Sequence, residues 1–154
     1  PAICKAQARR LPREKKRRKG VRSMIQYTVG DEKLDARSFL EFVNQVWKGN
    51  YDLGRTEQAL SRTLNLTARD GGRLVGCLRI LTDGYYFGNI TELLVLPQYQ
   101  GRGIGSGLLQ LAKEHTPTLL YFGAQPGAEG FYEKNGCSRG LPAYVIERSR
   151  EPSR

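Results

Sequence analysis

Six residues, Gln100-Gly101-Arg102-Gly103-Ile104-Gly105, stand between the most strand-prone run of the chain, NITELLVLP, and an amphipathic run. In that second run Ile104, Leu108, Leu111 and Ala112 share one helical face. A strand, a glycine-rich turn and a helix in this order aim bare backbone N–H groups and the positive end of a helix dipole at one place. The natural occupant is an anion, above all a phosphate. Glycines at 101, 103 and 105 remove Cβ atoms, so main chain can approach a ligand closely and adopt the positive φ values that turn donors inward. A second chemical residue, Glu92, lies inside the same apolar run, where a carboxylate is out of place unless it faces a cleft or has a partner. Burial would raise its proton affinity toward that of a working base. The bland alternatives are a ligand-free turn and an outward or structural glutamate.

Two familiar phosphate loops fail on inspection. A dinucleotide fingerprint would need glycine at 106 or 108, which are Ser106 and Leu108. A Walker loop would need a lysine, and none lies between Lys48 and Lys113. Nucleophilic pairs and histidine-rich metal sites would all have to use His115, the single histidine. Its place at the end of the amphipathic run suits a cation at a helix C-terminus. Cys77 reads as strand core and Cys137 follows Gly136, so neither makes an activated thiol pair, and no metal is expected.

These residues need a scaffold. A short strand, IQYTV, is followed by a helix over Leu34 to Lys48, with Asp35 as N-cap and Leu34 and Phe39 as a hydrophobic staple. A second helix is expected over about Thr56 to Leu64. NLTARD and RLVGCLRILTD meet at Asp70, Gly71 and Gly72, a hairpin signal. After the glycine turn and its helix come a strand, TLLYFGA, a short helix, AEGFYEKN, closed by Gly136, and a last strand, AYVIER. The order βααβββαβαβ predicts an α/β fold: one central mixed sheet with helices on both faces.

At 154 residues, with 39% hydrophobic and 26% charged, the chain is one domain long. The net charge of +10 is uneven: residues 1 to 24 hold ten Lys/Arg against Glu14, and the other 130 residues are nearly neutral. Residues 1 to 23 therefore read as a basic extension, disordered or foreign to the native protein, residues 24 to 148 as the folded domain, and 149 to 154 as a tail. Nucleic acid would be engaged only through the basic run. No stretch approaches the roughly eighteen apolar residues of a membrane span, and three widely spaced cysteines suggest a reducing cytoplasm.

The turn Gln-x-x-Gly-x-Gly within LLVLPQYQGRGIGSGLL, together with GFYEKNGC, resembles the GCN5-related N-acetyltransferase (GNAT) superfamily, over about Ile25 to Arg148. The resemblance implies that family's fold and acetyl-CoA as co-substrate. Carried over by position, it implies that main-chain groups of Leu94, Val95 and Leu96 hold the pantetheine and acetyl carbonyl. Gln100, Gly101, Arg102, Gly103, Ile104 and Gly105 would hold the pyrophosphate. Gln125 stands where the family often places Asn, a mild departure. Tyr132 matches the family's tyrosine acid, and a phenol is protonated at neutral pH and able to supply a proton to a departing thiolate. Glu92 becomes the general base or the group that orients a water.

The implied activity is acetyl transfer to a primary amine, of a small molecule or of a protein, by direct attack in a ternary complex. Trp47, Tyr51, Tyr85, Tyr86 and Phe87 could wall the acceptor, and Asp52, Asp83 and Glu92 would suit a cationic amine if they converge. The alternative is a non-catalytic acetyl-CoA or CoA sensor, against which the retained Tyr132 argues. A homodimer is expected by analogy alone.

Overall fold

The computed structural model describes residues 24–146, which fall into two compact units, 24–123 and 124–146. The basic extension, the final residues of AYVIER and the tail lie outside the described residues.

The larger unit is a five-stranded sheet in chain order: β1 (Ile25–Val29), β2 (Leu64–Asp70), β3 (Arg73–Thr82), β4 (Phe87–Val95) and β5 (Leu119–Tyr121). The first four strands are antiparallel and β5 joins β4 in parallel, so the sheet is mixed as expected. Gly71 and Gly72 both take positive φ in the β2–β3 hairpin.

Helix α1 (Ala36–Val43) is capped by Asp35, whose carboxylate accepts the Ser38 N–H at 2.9 Å. It is shorter than the periodicity predicted. Past Val43 the chain tightens into i to i−3 bonds, Gln45 N–H to Phe42 and Val46 N–H to Val43. Helix α2 spans Leu53–Ser61, earlier than expected, because the Asp52 side chain accepts the Arg55 N–H and starts it. Helix α3 (Ile104–His115) packs across β1 to β4.

Strand alternation assigns the faces. Gly76 looks onto Ile104 and Leu108 of α3, so Gly76, Leu78 and Ile80 line the α3 face. Arg79, three positions after Gly76, lies on the other face, where its guanidinium sits 5.2 Å from the centre of the Phe39 ring of α1. Helices thus cover both faces. The α1 face is the more polar. Asp31 is buried there, accepting Thr67 Oγ1 at 2.7 Å, Arg69 Nε at 2.9 Å and the Lys33 N–H at 3.0 Å.

The smaller unit carries α4 (Glu129–Lys134), closed by Gly136 at φ 74° as the sequence suggests. The last expected strand is absent among the described residues. Residues 143–146 make no ladder, and Tyr144, Val145 and Ile146 are 98%, 80% and 89% exposed. The β propensity of such residues is a preference for a half-buried pleated surface, which this segment lacks.

Candidate active site

Strand β4 carries two irregularities that matter chemically. It pairs with β5 only from Phe87 to Asn89, while its pairing with β3 continues to Val95. From Ile90 onward the edge of β4 on the β5 side makes no strand ladder among the described residues. The Leu96 N–H donates to Val75 O at 2.9 Å, which places the polar groups of Leu96, and by alternation those of Leu94, toward β3. Leu93 and Val95 then turn their N–H and C=O groups to that unladdered edge. Leu93 was not singled out from the sequence; only the β3 register reveals it. The Val95 carbonyl already accepts Gln100 Nε2 at 3.1 Å, so this edge and the glycine loop are joined by a side chain.

The second irregularity is a bulge. Ile80 pairs with Ile90 and Arg79 with Glu92, leaving Thr91 as the extra residue. Were Thr91 an ordinary ladder residue, simple alternation would put Glu92 on the face of Ile90, against α3. The bulge turns Glu92 to the α1 face instead. There its Oε1 meets Arg79 Nε in an ion pair, with Arg79 Nη2 donating to Oε2 at 3.4 Å and both side chains nearly buried. Glu92 thus has the partner that a carboxylate in an apolar strand demands. Arg79, a residue the sequence reading passed over, supplies it, and its signal was a lone arginine in RLVGCLRIL.

At the loop, a short 3-10 turn (Pro97–Tyr99) leads from β4 to Gln100. Gly101 and Gly103 take φ of 75° and 81°, a region costly for residues with a Cβ. A Cβ built on either would touch nothing within 4 Å, so open space lies before the loop. No side chain caps α3, which leaves the first-turn N–H groups, from Ile104 onward, without the usual carboxylate or hydroxyl partner. The local geometry suits an anion.

The expected acidic lining does not form. Asp52 caps α2. Asp83 Oδ1 accepts the N–H groups of Tyr85, Tyr86 and Phe87, which hold its carboxyl below the usual range. Each of these carboxylates is occupied by its own turn, and Glu92 by Arg79. The aromatic residues are dispersed likewise. Tyr85 and Tyr86 pack edge to face at 4.3 Å and are 72% and 76% exposed, Phe87 stacks on Tyr121, and Tyr51 donates to the Trp47 carbonyl.

In the smaller unit Tyr132 is half-buried on α4, its ring edge-on to Phe131 at 5.0 Å. Burial first, and the Cys137 thiol second, push its phenol up from the ordinary value, so it is protonated at neutral pH. Gln125 is exposed, and its carbonyl accepts the Ala128 N–H in the turn before α4. Cys77 is fully buried in β3, and burial drives its thiol far above the usual range, which removes it as a nucleophile. Among the described residues no group of three or more His, Cys, Asp or Glu side chains could hold a metal, and no helix is long and apolar enough to cross a membrane.

Residues 62–136 match the model of the family described as "Acetyltransferase (GNAT) domain". A curated relative, "Putative acetyltransferase FG08082" of Gibberella zeae, is 45% identical over 87 residues, which are 47% of this chain and 49% of that protein. The chain thus spans about half the length of that relative. Among solved structures, the GNAT family acetyltransferase SP0256 of Streptococcus pneumoniae superposes with a TM-score of 0.64 at 29% identity, over 82% of this chain and all of that one. AAC(6')-Iy, solved with a bisubstrate analogue of CoA, superposes with a TM-score of 0.63 at 15% identity, over 83% of this chain and 99% of its own.

Proposed function

We propose that the chain is an acetyltransferase of the GNAT superfamily, and that it transfers the acetyl group of acetyl-CoA to a primary amine by direct attack in a ternary complex. The acceptor is a small molecule or an exposed protein amine. The observation that carries this reading is the continuity of an unladdered β4 edge with an uncapped helix N-terminus through Gln100 to Gly105. A long ligand with an amide-bearing arm and a pyrophosphate matches such a path.

In this reading the main chain of Val95, with Leu93, meets the pantetheine arm, while Leu94 and Leu96 keep the strand seated on β3. Gly101, Gly103 and the N–H groups of Ile104 and Gly105 hold the pyrophosphate; Gln100 fixes the loop to Val95, and Arg102 supplies charge to a CoA phosphate. Gln125 is assigned to the pantetheine arm by family position alone. The amine must lose a proton, the carbonyl oxygen must be stabilised and the thiolate needs a proton. Tyr132 is the acid, since its phenol is held protonated. Glu92, anchored by Arg79, acts by orienting a water or the amine. The domain is taken to run from 24 to 148 and to act in the cytoplasm.

Calorimetric titration of acetyl-CoA, then CoA, into the full chain tests the reading, followed by thiol release with arylalkylamines and polyamines. Micromolar acetyl-CoA binding and amine-dependent thiol release are expected. A folded sample that binds neither nucleotide would overturn it. Binding without release for any amine would leave the sensor.

A further inference from the structure

Arg102 is the cation of the glycine loop, and its guanidinium carbon lies over the Tyr99 ring, 4.8 Å from the centroid. That ring is itself tethered. Tyr99 Oη donates to Asp70 Oδ2 at 2.8 Å, joining the 3-10 turn after β4 to the end of β2. The same hydrogen bond, ahead of desolvation, pushes the phenol up, so the donor proton is present at neutral pH. Stacking occupies the face of a guanidinium and leaves free its edges, where the N–H donors lie. Arg69 and Arg79 are ion-paired with Asp31 and Glu92, whereas Arg102 makes no hydrogen bond or ion pair among the described residues.

Two elements suited to an anion thus share one loop. The N–H groups of α3 point out along the helix from Gly103. The Arg102 side chain turns back over the 3-10 turn, onto a ring that precedes the loop. A ligand with two separate anionic groups can engage both at once. CoA carries two separate anionic groups, a pyrophosphate and a phosphate monoester on the ribose 3′-oxygen. We propose that Arg102 takes the 3′-phosphate monoester while the loop main chain takes the pyrophosphate, and that Tyr99 and Asp70 are positioning residues for Arg102. A guanidinium edge matches a phosphate bidentately, and a prepositioned side chain loses less freedom on binding. The inference rests on the acetyl-CoA reading of the loop.

The test is calorimetric titration of the full chain with CoA and with 3′-dephospho-CoA. The wild-type chain should bind CoA tighter by about tenfold or more, the range of a hydrogen bond to a charged group. Arg102→Gln should bring the ratio of the two affinities near one, the loss falling on CoA. Tyr99→Leu should narrow the ratio in the same way, and Tyr99→Phe, which keeps the ring, should restore most of it. A merely structural role would weaken both ligands equally. The proposal is overturned by a wild-type ratio near one, by a Tyr99→Leu chain that keeps the wild-type ratio, or by equal losses for both ligands. If the folded wild-type chain binds neither ligand, the acetyl-CoA reading itself falls; if it binds both equally, only the role of Arg102 does.

Discussion

Glu92 faces Arg79 because one extra residue, Thr91, interrupts the alternation of β4 against β3. The resulting ion pair is nearly buried, with 12% and 11% of the two side chains exposed and the Phe39 ring beside the guanidinium. Removing one partner strands a charge. Arg79→Met should therefore lower stability by about 3 kcal/mol, while the double change Arg79→Met with Glu92→Leu should recover most of that loss. Urea denaturation of the three chains checks both, and equal losses in the single and double variants would refute the coupling.

Tyr132→Phe removes the proposed acid while keeping the ring that packs on Phe131. Turnover should fall by about 10²-fold with acetyl-CoA affinity near normal. Unchanged thiol release with an accepted amine would take the role from this phenol.

Gly103→Val places a branched side chain at φ 81°, where a Cβ costs about 1–2 kcal/mol, and projects it into the open space before α3. Acetyl-CoA binding should be lost with the fold retained, as judged by calorimetry alongside circular dichroism. Normal affinity would show that the ligand does not approach this backbone.

Asp31 sets a pH dependence of stability. Burial opposes its ionisation, but the Thr67 hydroxyl, the Arg69 guanidinium and the Lys33 N–H outweigh that and hold its carboxyl below the usual range. A depressed carboxylate stabilises the fold above its unfolded value, about 3.9, and the contribution disappears as pH falls through the lower folded value. Below about pH 4 the wild-type chain should lose stability more steeply than Asp31→Asn, which should already be weaker at pH 7. Parallel melting curves against pH for the two chains would dismiss Asp31 as the origin.

Local signals were legible where a residue acts on its neighbours. The Asp35 cap, the Gly71–Gly72 hairpin, the α3 boundaries and the Gly136 stop follow from short-range chemistry. The glycine loop was readable for the same reason. What depends on register was not. The partner of Glu92, the β3-directed N–H of Leu96 and the outward edge of Leu93 require knowing which residue of β3 stands opposite, and a bulge erases the period-two pattern that would say so. The capture of Asp52 and Asp83 by their own turns was hidden likewise, since an aspartate beside a turn looks the same whether it caps or binds.

Gly76 faces the first residue of α3 so closely that a methyl group there would stand 2.9 Å from Ile104 Cγ2 and 3.1 Å from Leu108 Cδ1. The helix start rests on the sheet through this missing side chain. How deep the glycine loop sits is consequently decided in the middle of β3, at a position with no chemistry of its own. A change at 76 would lift the N–H groups away from the unladdered β4 edge and lengthen the span a cofactor must bridge, so affinity for the nucleotide can drift without any residue of the loop being altered.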